Sequence, residues 1–157
     1  MKHPNQVKFT HRKPIAIQST ITLHELVEQL TVNKLPAAIH RQNIIMNNVH
    51  PALEIFADEQ QVAMVLGNLL NTIISYTSNS CIRISAKTFG NVTILHLREH
   101  SRLNNPQFIS SLSDIQEMAE EIGGSVNVTS YRNEMTTVAM SFMNIPVKNH
   151  QVLSMAA

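Results

Sequence analysis

The strongest constraint on the fold is an amphipathic helix near the middle of the chain, predicted over residues 59–76 with Asp58 as its N-terminal cap. Its apolar residues recur every three or four positions and fall within one stripe about 100° wide. The stripe contains Val62, Val65, Leu66, Leu69, Ile73 and Tyr76. A helix with one apolar stripe has to pack it against a second layer, which the flanking segments must supply.

Strands with clear turn signals supply that layer. Residues 81–88 and 92–98 alternate apolar and polar side chains around Gly90-Asn91, which predicts a β-hairpin. Residues 125–131 and 136–143 predict a second hairpin. Residues 43–49 and 54–57 predict two shorter strands, separated by the turn-like His50-Pro51.

Two further helices are predicted on either side of the central one. Thr22 and Glu25 form a capping box at the start of the first, and Pro36 starts or kinks a further helical piece that reaches about residue 41. Asn105 caps the third helix, and Gly123-Gly124 ends it. Its predicted buried face consists of Ile109, Leu112, Ile115, Ala119 and Ile122.

This order of elements predicts an α+β fold, a two-layer α/β sandwich in which three main helices cover one face of a mixed sheet. A chain of 157 residues forms one domain by the usual relation of length to core size. We expect this domain to span residues 20–146. Residues 1–19 and 147–157 are predicted as a flexible N-terminal segment and a flexible C-terminal tail, because they are polar and lack periodicity.

The composition excludes several classes of function. A net charge of +1 gives no electrostatic case for a nucleic-acid partner, and no apolar run is long enough for membrane insertion. A single cysteine, Cys81, rules out an internal disulfide framework, so a cytoplasmic location is expected. The eight histidines show no metal-ligand spacing, so no metal site is predicted. None of the four glycines forms a GxG pair, so glycine-loop nucleotide motifs are absent.

The central helix carries a family resemblance. Residues 58–77, DEQQVAMVLGNLLNTIISYT, resemble the N-box helix of the ATP-binding catalytic domain of bacterial sensor histidine kinases, whose pattern is roughly D…VLxNLLxNAIKYT. Residues 115–142 resemble the family's closing segment, in which a helix ends in Gly-Gly before two strands. Element order matches over about residues 20–146. The resemblance implies the Bergerat (HATPase_c, GHKL) fold and a role in two-component signal transduction.

The resemblance also implies nucleotide-binding positions. They are Asn68, Thr72, Tyr76, Glu99 and Thr136. Asn68 and Tyr76 match the family's residues, whereas Thr72 stands in place of the asparagine that coordinates magnesium, and Ser75 replaces a lysine. Thr136 matches the threonine of the family's last motif. These replacements make binding of ATP and magnesium doubtful.

The second nucleotide motif is less well preserved. The family's DxGxG corresponds to residues 99–103, EHSRL, in which Glu99 keeps the carboxylate that would accept the adenine amino group. Ser101 and Leu103 replace the two glycines and place side chains near the space that the base needs. Only residues 104 and 105 separate Leu103 from Pro106, so the mobile lid of the family is truncated or missing.

Each of these positions also has a purely structural interpretation. Asn68 would bond to nearby backbone, Tyr76 would pack in the core, and Glu99 would be a solvated carboxylate at a strand end. His24 stands in a His-Glu-Leu sequence that resembles the phosphoacceptor box of kinase dimerisation helices. The proline of that box and a second long helix are absent from its neighbourhood, and the capping box accounts for Glu25.

The sequence therefore favours a degenerate histidine-kinase-like ATPase domain with weak or no ATP binding, which acts through protein contacts. No catalytic residue is assigned. Its expected partner is a kinase dimerisation domain or a response regulator, and a homodimer is compatible with this interpretation. One alternative is a functional ATP-binding catalytic domain with an atypical short-lid site, which would be an ATP-dependent protein-histidine kinase. Another is a phosphotransfer protein that uses His24.

Overall fold

A layer of helices and a layer of sheet make up the fold in the computed structural model, which describes residues 18–144 except residues 102, 104 and 133. In chain order the elements are β1 (Gln18–Thr22), α1 (Leu23–His40), β2 (Ile44–Asn47), β3 (Glu54–Asp58), α2 (Glu59–Tyr76), β4 (Cys81–Phe89), β5 (Val92–Glu99), α3 (Pro106–Ser111), α4 (Ser113–Glu121), β6 (Ser125–Tyr131) and β7 (Met135–Met143).

The main sheet has five strands in the order β2-β4-β5-β7-β6. β2 runs parallel to β4, and the three remaining pairs are antiparallel. The parallel pair is joined through β3 and α2, whereas the antiparallel pairs β4-β5 and β6-β7 are hairpins. The sheet is therefore mixed, and the predicted α+β sandwich is confirmed.

The core lies between the helices and one face of this sheet. Alternate residues of the central strands point into it, among them Ile82 and Ile84 of β4 and Leu95 and Leu97 of β5, each at most 1% exposed. Burying an aliphatic side chain of this size contributes about 1.5–3 kcal/mol to folding. No helix in the described part of the chain has both the length and the apolar character needed to cross a membrane.

α2 forms as the sequence predicts. The Asp58 carboxylate accepts a hydrogen bond from the Gln61 N–H at 3.2 Å, so the predicted N-terminal cap is confirmed. Eight residues of the helix are buried, including five of the six predicted stripe residues. The exception is Tyr76, which is 38% exposed.

The N-terminal part of the fold differs from the prediction. β1 begins at Gln18, inside the segment expected to be flexible, and pairs antiparallel with β3 in a separate two-stranded sheet. Thr22 ends β1 and precedes α1, but its side chain makes no cap hydrogen bond, so the predicted capping box is wrong. Pro36 lies inside α1, which continues to His40 as one helix. The other residues of the two predicted flexible ends, 1–17 and 147–157, lie outside the described residues.

The third predicted helix is in fact two short helices, α3 and α4, on either side of Leu112. Asn105 caps α3 as predicted, because its side chain accepts from the Phe108 N–H at 2.8 Å. Ile109, predicted to be buried, is 40% exposed, and Phe108 is 0% exposed. Phe108 precedes Leu112 by four positions and therefore shares its face, whereas Ile109 lies about 100° farther round the helix.

The Gly123-Gly124 pair fixes the connection from α4 to β6. Gly123 has a φ of 76°, a conformation that side-chain-bearing residues rarely adopt, and its N–H bonds to the Glu120 carbonyl at 3.0 Å. A Cβ on Gly124 would overlap the backbone carbonyl of Ser141 on β7. The second glycine is therefore required by the close approach of two backbones.

We predict that Gly124→Ala lowers the free energy of unfolding by at least about 2 kcal/mol, because backbone on both sides has to move. Gly90→Asn is the matched control. Gly90 also has a positive φ, of 58°, but a Cβ there meets no atom within 4 Å, and asparagine tolerates this conformation. Urea denaturation of both variants measures the difference. Equal losses of stability would show that the approach to Ser141 is not the constraint.

Candidate functional site

A buried carboxylate lies at the end of β5, where the family resemblance locates the adenine-binding residue. Glu99 is 2% exposed. Its Oε2 accepts a hydrogen bond from the Ser80 hydroxyl at 2.9 Å and another from the Ser101 N–H at 2.8 Å. The interpretation of Glu99 as a solvated carboxylate is therefore wrong, because the β5 end is covered by the residues around it.

The hydrogen bonds continue from Ser80 to the C-terminal end of α2. The Ser80 N–H donates to the Asn43 side-chain oxygen at 3.1 Å. The Asn43 amide group donates to the hydroxyl and to the carbonyl of Thr77, at 3.0 and 3.2 Å. Asn43 and Thr77 are 5% and 2% exposed, and neither was identified from the sequence. The one feature of the sequence that could have indicated them is their position, since each is a polar residue immediately beside an apolar element, β2 for Asn43 and α2 for Thr77.

Thr136 lies directly opposite Glu99, on β7. It is 1% exposed, and its hydroxyl donates to the Ser101 carbonyl at 3.2 Å. Two of the five predicted positions, Glu99 and Thr136, are thus adjacent and are connected through Ser101. The residues Asn43, Thr77, Ser80, Glu99, Ser101 and Thr136 form what we call the Glu99 network.

One oxygen of the network has no partner among the described residues. Glu99 Oε1 is buried and accepts no hydrogen bond. A buried polar atom without a partner costs about 1–3 kcal/mol. This oxygen can accept a hydrogen bond from a donor group that reaches it, such as an amino group.

Two of the three predicted positions on α2, Asn68 and Thr72, make their side-chain hydrogen bonds within the helix. The Asn68 amide donates to the Met64 carbonyl at 2.8 Å, and the Thr72 hydroxyl donates to the Asn68 carbonyl at 3.0 Å. Ser75 donates to the carbonyl of Asn71 in the same way, at 2.8 Å. Asn68 is exposed and Thr72 is half-buried. The structure does not connect Asn68 or Thr72 to the Glu99 network by a hydrogen bond.

Apolar residues after β5 pack beside the C-terminal end of α2. Phe108 is fully buried, and its ring meets the Tyr76 ring edge to face with centroids 5.5 Å apart. The Tyr76 hydroxyl lies 3.4 Å from the Gln107 carbonyl, to which it donates. Leu103, the residue in place of the second DxGxG glycine, is 1% exposed and belongs to the core. The short connection between β5 and α3 is therefore anchored in the core at Leu103, and α3 packs against the C-terminal end of α2.

His24 lies in the first turn of α1, away from these residues. Its Nδ1–H donates to the Val49 carbonyl at 2.8 Å, and the ring is half-buried. α1 packs against α2 and β2, and Leu23, Leu26 and Val27 fix its inner face in the core. Within the described residues, no group of three or more histidine, cysteine, aspartate or glutamate side chains is placed to hold a metal ion.

Comparison with solved structures identifies the class of fold. The histidine kinase AdeS of Acinetobacter baumannii matches with a TM-score of 0.70 at 11% identity, over 81% of this chain and 67% of that chain. The catalytic domain of the histidine kinase ThkA matches with a TM-score of 0.65 at 18% identity, over 84% and 99%. Full-length ShkA in complex with AMPPNP matches with a TM-score of 0.69 at 16% identity, over 83% and 33%.

The chain therefore has the fold of the catalytic domain of bacterial histidine kinases. It spans nearly the whole of the isolated ThkA domain but about a third of full-length ShkA. No protein-family model matches the sequence, and no curated protein is significantly similar to it. At 11–18% identity these matches define the fold and leave the activity to be argued from the residues.

We predict that Glu99→Ala lowers the free energy of unfolding by about 2–3 kcal/mol, because it leaves the partly buried Ser80 hydroxyl and Ser101 N–H without an acceptor. Glu99→Gln is the control. Its amide oxygen accepts both hydrogen bonds and removes a buried charge, so the expected loss is below about 1 kcal/mol. Chemical denaturation measures both, and an Ala variant as stable as the parent would mean that the carboxylate is solvated.

Proposed function

We propose that this chain is a degenerate histidine-kinase-type ATPase domain, which binds ATP weakly or not at all and acts through contacts with other proteins in a two-component-type signalling pathway. The observation that carries the proposal is the burial of Leu103 and Phe108, which are 1% and 0% exposed. These apolar side chains belong to the short segment that stands where the family resemblance expects glycine and a mobile lid.

Packing against α2 supports this proposal. The Phe108 ring lies against Tyr76, one of the residues expected to border the nucleotide. Opening the connection to admit a base would expose the fully buried Phe108 side chain, at a cost of about 1.5–3 kcal/mol. ATP would have to offset that cost from its own binding energy.

The side chains at the positions expected to hold phosphates and magnesium also attract these ligands less than the family's residues would. Thr72 replaces the magnesium-binding asparagine, and its hydroxyl already donates to the Asn68 carbonyl. Ser75 replaces the lysine and so removes a positive charge from the expected triphosphate site. A hydroxyl that is bonded within its helix and a neutral side chain provide little attraction for a triphosphate.

Protein contacts remain as the basis for function. The histidine kinase ThkA has been solved in complex with the response regulator TrrA, and that kinase matches this chain with a TM-score of 0.66 at 18% identity. By analogy we propose a response regulator or a kinase dimerisation domain as the partner, in the cytoplasm. A homodimer of this chain is also compatible with function through protein contacts.

A functional ATP site is the second candidate, and one observation favours it. Glu99 Oε1 is buried without a partner among the described residues, and the resemblance assigns to Glu99 the acceptor of the adenine amino group. An amino group bound there would satisfy this oxygen. The two candidates therefore differ in whether the space beside Oε1 admits a base.

We predict that about 5 mM ATP with excess magnesium leaves the melting temperature of the purified protein unchanged. A dissociation constant of about 1 mM would add about 1 kcal/mol of stability under these conditions, which corresponds to a rise of about 4 °C. Differential scanning fluorimetry measures the shift, and isothermal calorimetry checks it. Binding tighter than about 1 mM would contradict the degenerate site.

Two pairs of variants locate any ATP signal that does occur. Asn68→Ala is compared with Asn71→Ala, since both asparagines lie exposed on α2 and only Asn68 matches the family's nucleotide position. Glu99→Gln removes the adenine acceptor charge but keeps the network. A signal lost in Asn68→Ala and Glu99→Gln, and kept in Asn71→Ala, would establish the functional site. An unchanged signal in all three would assign the binding to another surface.

A further inference from the structure

The face of the main sheet that is turned away from the helices carries three cations. Arg83 and Lys87 project from β4 and Arg98 from β5, and all three side chains are exposed. Arg83 and Arg98 alternate along their strands with buried residues of the core, and Lys87 lies four positions after Arg83, so all three share the outer face. We call this surface the outer sheet face.

Two of these cations are opposed across the strands. Arg83 and Arg98 are directly paired positions of β4 and β5. Side chains at such positions have Cβ atoms about 4.5–5.5 Å apart, and like charges there destabilise the sheet. An anionic partner that lies across both side chains would offset the repulsion between them, which costs stability in the free protein.

No carboxylate of the described strands compensates this charge on the outer sheet face. Of the eleven acidic residues, ten lie in α1, in β3, in and beside α2, in α4 and in the turn between β6 and β7. The remaining one, Glu99, belongs to the opposite, buried side of β5. The small net charge of the whole chain therefore conceals a separation, with a basic sheet face and acidic helices.

Exposed apolar side chains adjoin the cations. Met46 is the β2 neighbour of Arg83 in the sheet and is 40% exposed, and Ile44 on the same strand is 64% exposed. Phe89, at the end of β4 beyond Lys87, is 61% exposed. A surface that combines cations with exposed apolar groups matches a protein segment that offers both carboxylates and apolar side chains.

His96 lies among the same cations. Its pKa is lowered by burial, then by Arg98 and Lys87. Arg83 is its other charged neighbour on β4, and the β7 residues beside it, Thr137, Ala139 and Ser141, are neutral. A bound carboxylate would oppose the effect of the cations, so the His96 ring reports on whether an anion occupies this face.

We propose that the outer sheet face is a docking surface for an acidic, partly apolar segment of a partner protein. The proposal rests on the part of the proposed function that assigns protein contacts to this domain, and it holds whether or not ATP binds. A single-stranded nucleic acid fits less well. Phe89 and Tyr131 lie at the ends of this face, and the ring near its centre, that of His96, is half-buried. The described residues therefore offer no row of exposed rings on which successive bases could stack.

The test uses a fluorescein-labelled twelve-residue peptide of alternating glutamate and leucine, titrated with the whole protein at low ionic strength. Fluorescence anisotropy is expected to show saturable binding. Arg83→Glu combined with Arg98→Glu weakens it about tenfold, because two attractions become two repulsions. Lys34→Glu, the same change of charge on α1, alters it less than about twofold. An all-glutamate peptide of the same length binds more weakly, because it lacks the apolar contacts.

A stability measurement separates loss of binding from loss of fold. Arg98→Glu alone places unlike charges opposite each other, so the variant is expected to unfold at the same or a higher temperature while its peptide binding falls. In the parent protein, the NMR-monitored pKa of His96 rises when the peptide binds.

Three results would overturn the proposal. They are equal peptide binding by the parent and the doubly reversed variant, dissociation constants weaker than about 1 mM in the parent, and tighter binding of a twelve-nucleotide single-stranded DNA than of the peptide. The ATP titration concerns the buried side of the sheet, so its outcome does not decide whether the outer sheet face binds a partner.

Discussion

The hydrogen bonds that Ser80 and Ser101 donate to the Glu99 carboxylate are the centre of a network that joins parts of the chain distant in sequence. Through Asn43 and Thr77 they tie the start of β2 to the end of α2, and through Thr136 they reach β7. Leu103, two residues after Ser101, is buried. The hydrogen bond from the Ser101 N–H to Glu99 holds the start of the connection to α3 in place, and Oε1 is the carboxylate oxygen that has no donor among the described residues.

The sequence predicted those parts of the fold whose stability is local. Asp58 caps α2, Gly90-Asn91 closes the first hairpin, and Gly123 ends α4, because each of these residues acts on backbone within a few positions. β1 was missed, since its five residues form a strand only by pairing with β3, a long-range contact. Phe108 was missed although its spacing from Leu112 identifies it.

The site was less predictable than the fold. The family resemblance placed Glu99 and Thr136 in one region, and the structure brings them together as paired positions of β5 and β7. The family resemblance contained no information on Asn43 or Ser80. A polar side chain of this kind can be identified only from its hydrogen-bond partners, and these belong to other elements of the fold. The same holds for the outer sheet face, where Arg83 and Arg98 become neighbours only through the strand register. The two sides of the sheet thus differ. The side covered by the helices holds the buried Glu99 network, whereas the outer sheet face carries exposed cations.

Amide hydrogen exchange at the connection after β5 distinguishes a packed connection from a mobile lid. The Ser101 N–H donates to Glu99 Oε2, and the Phe108 N–H donates to the Asn105 side chain. If the connection is a packed part of the core, both amides exchange at least about a hundredfold more slowly than in an unstructured peptide, and magnesium ATP leaves their rates unchanged. Exchange at the rate of an unstructured peptide that slows when magnesium ATP is added would show a mobile lid that closes on nucleotide, and would contradict the account.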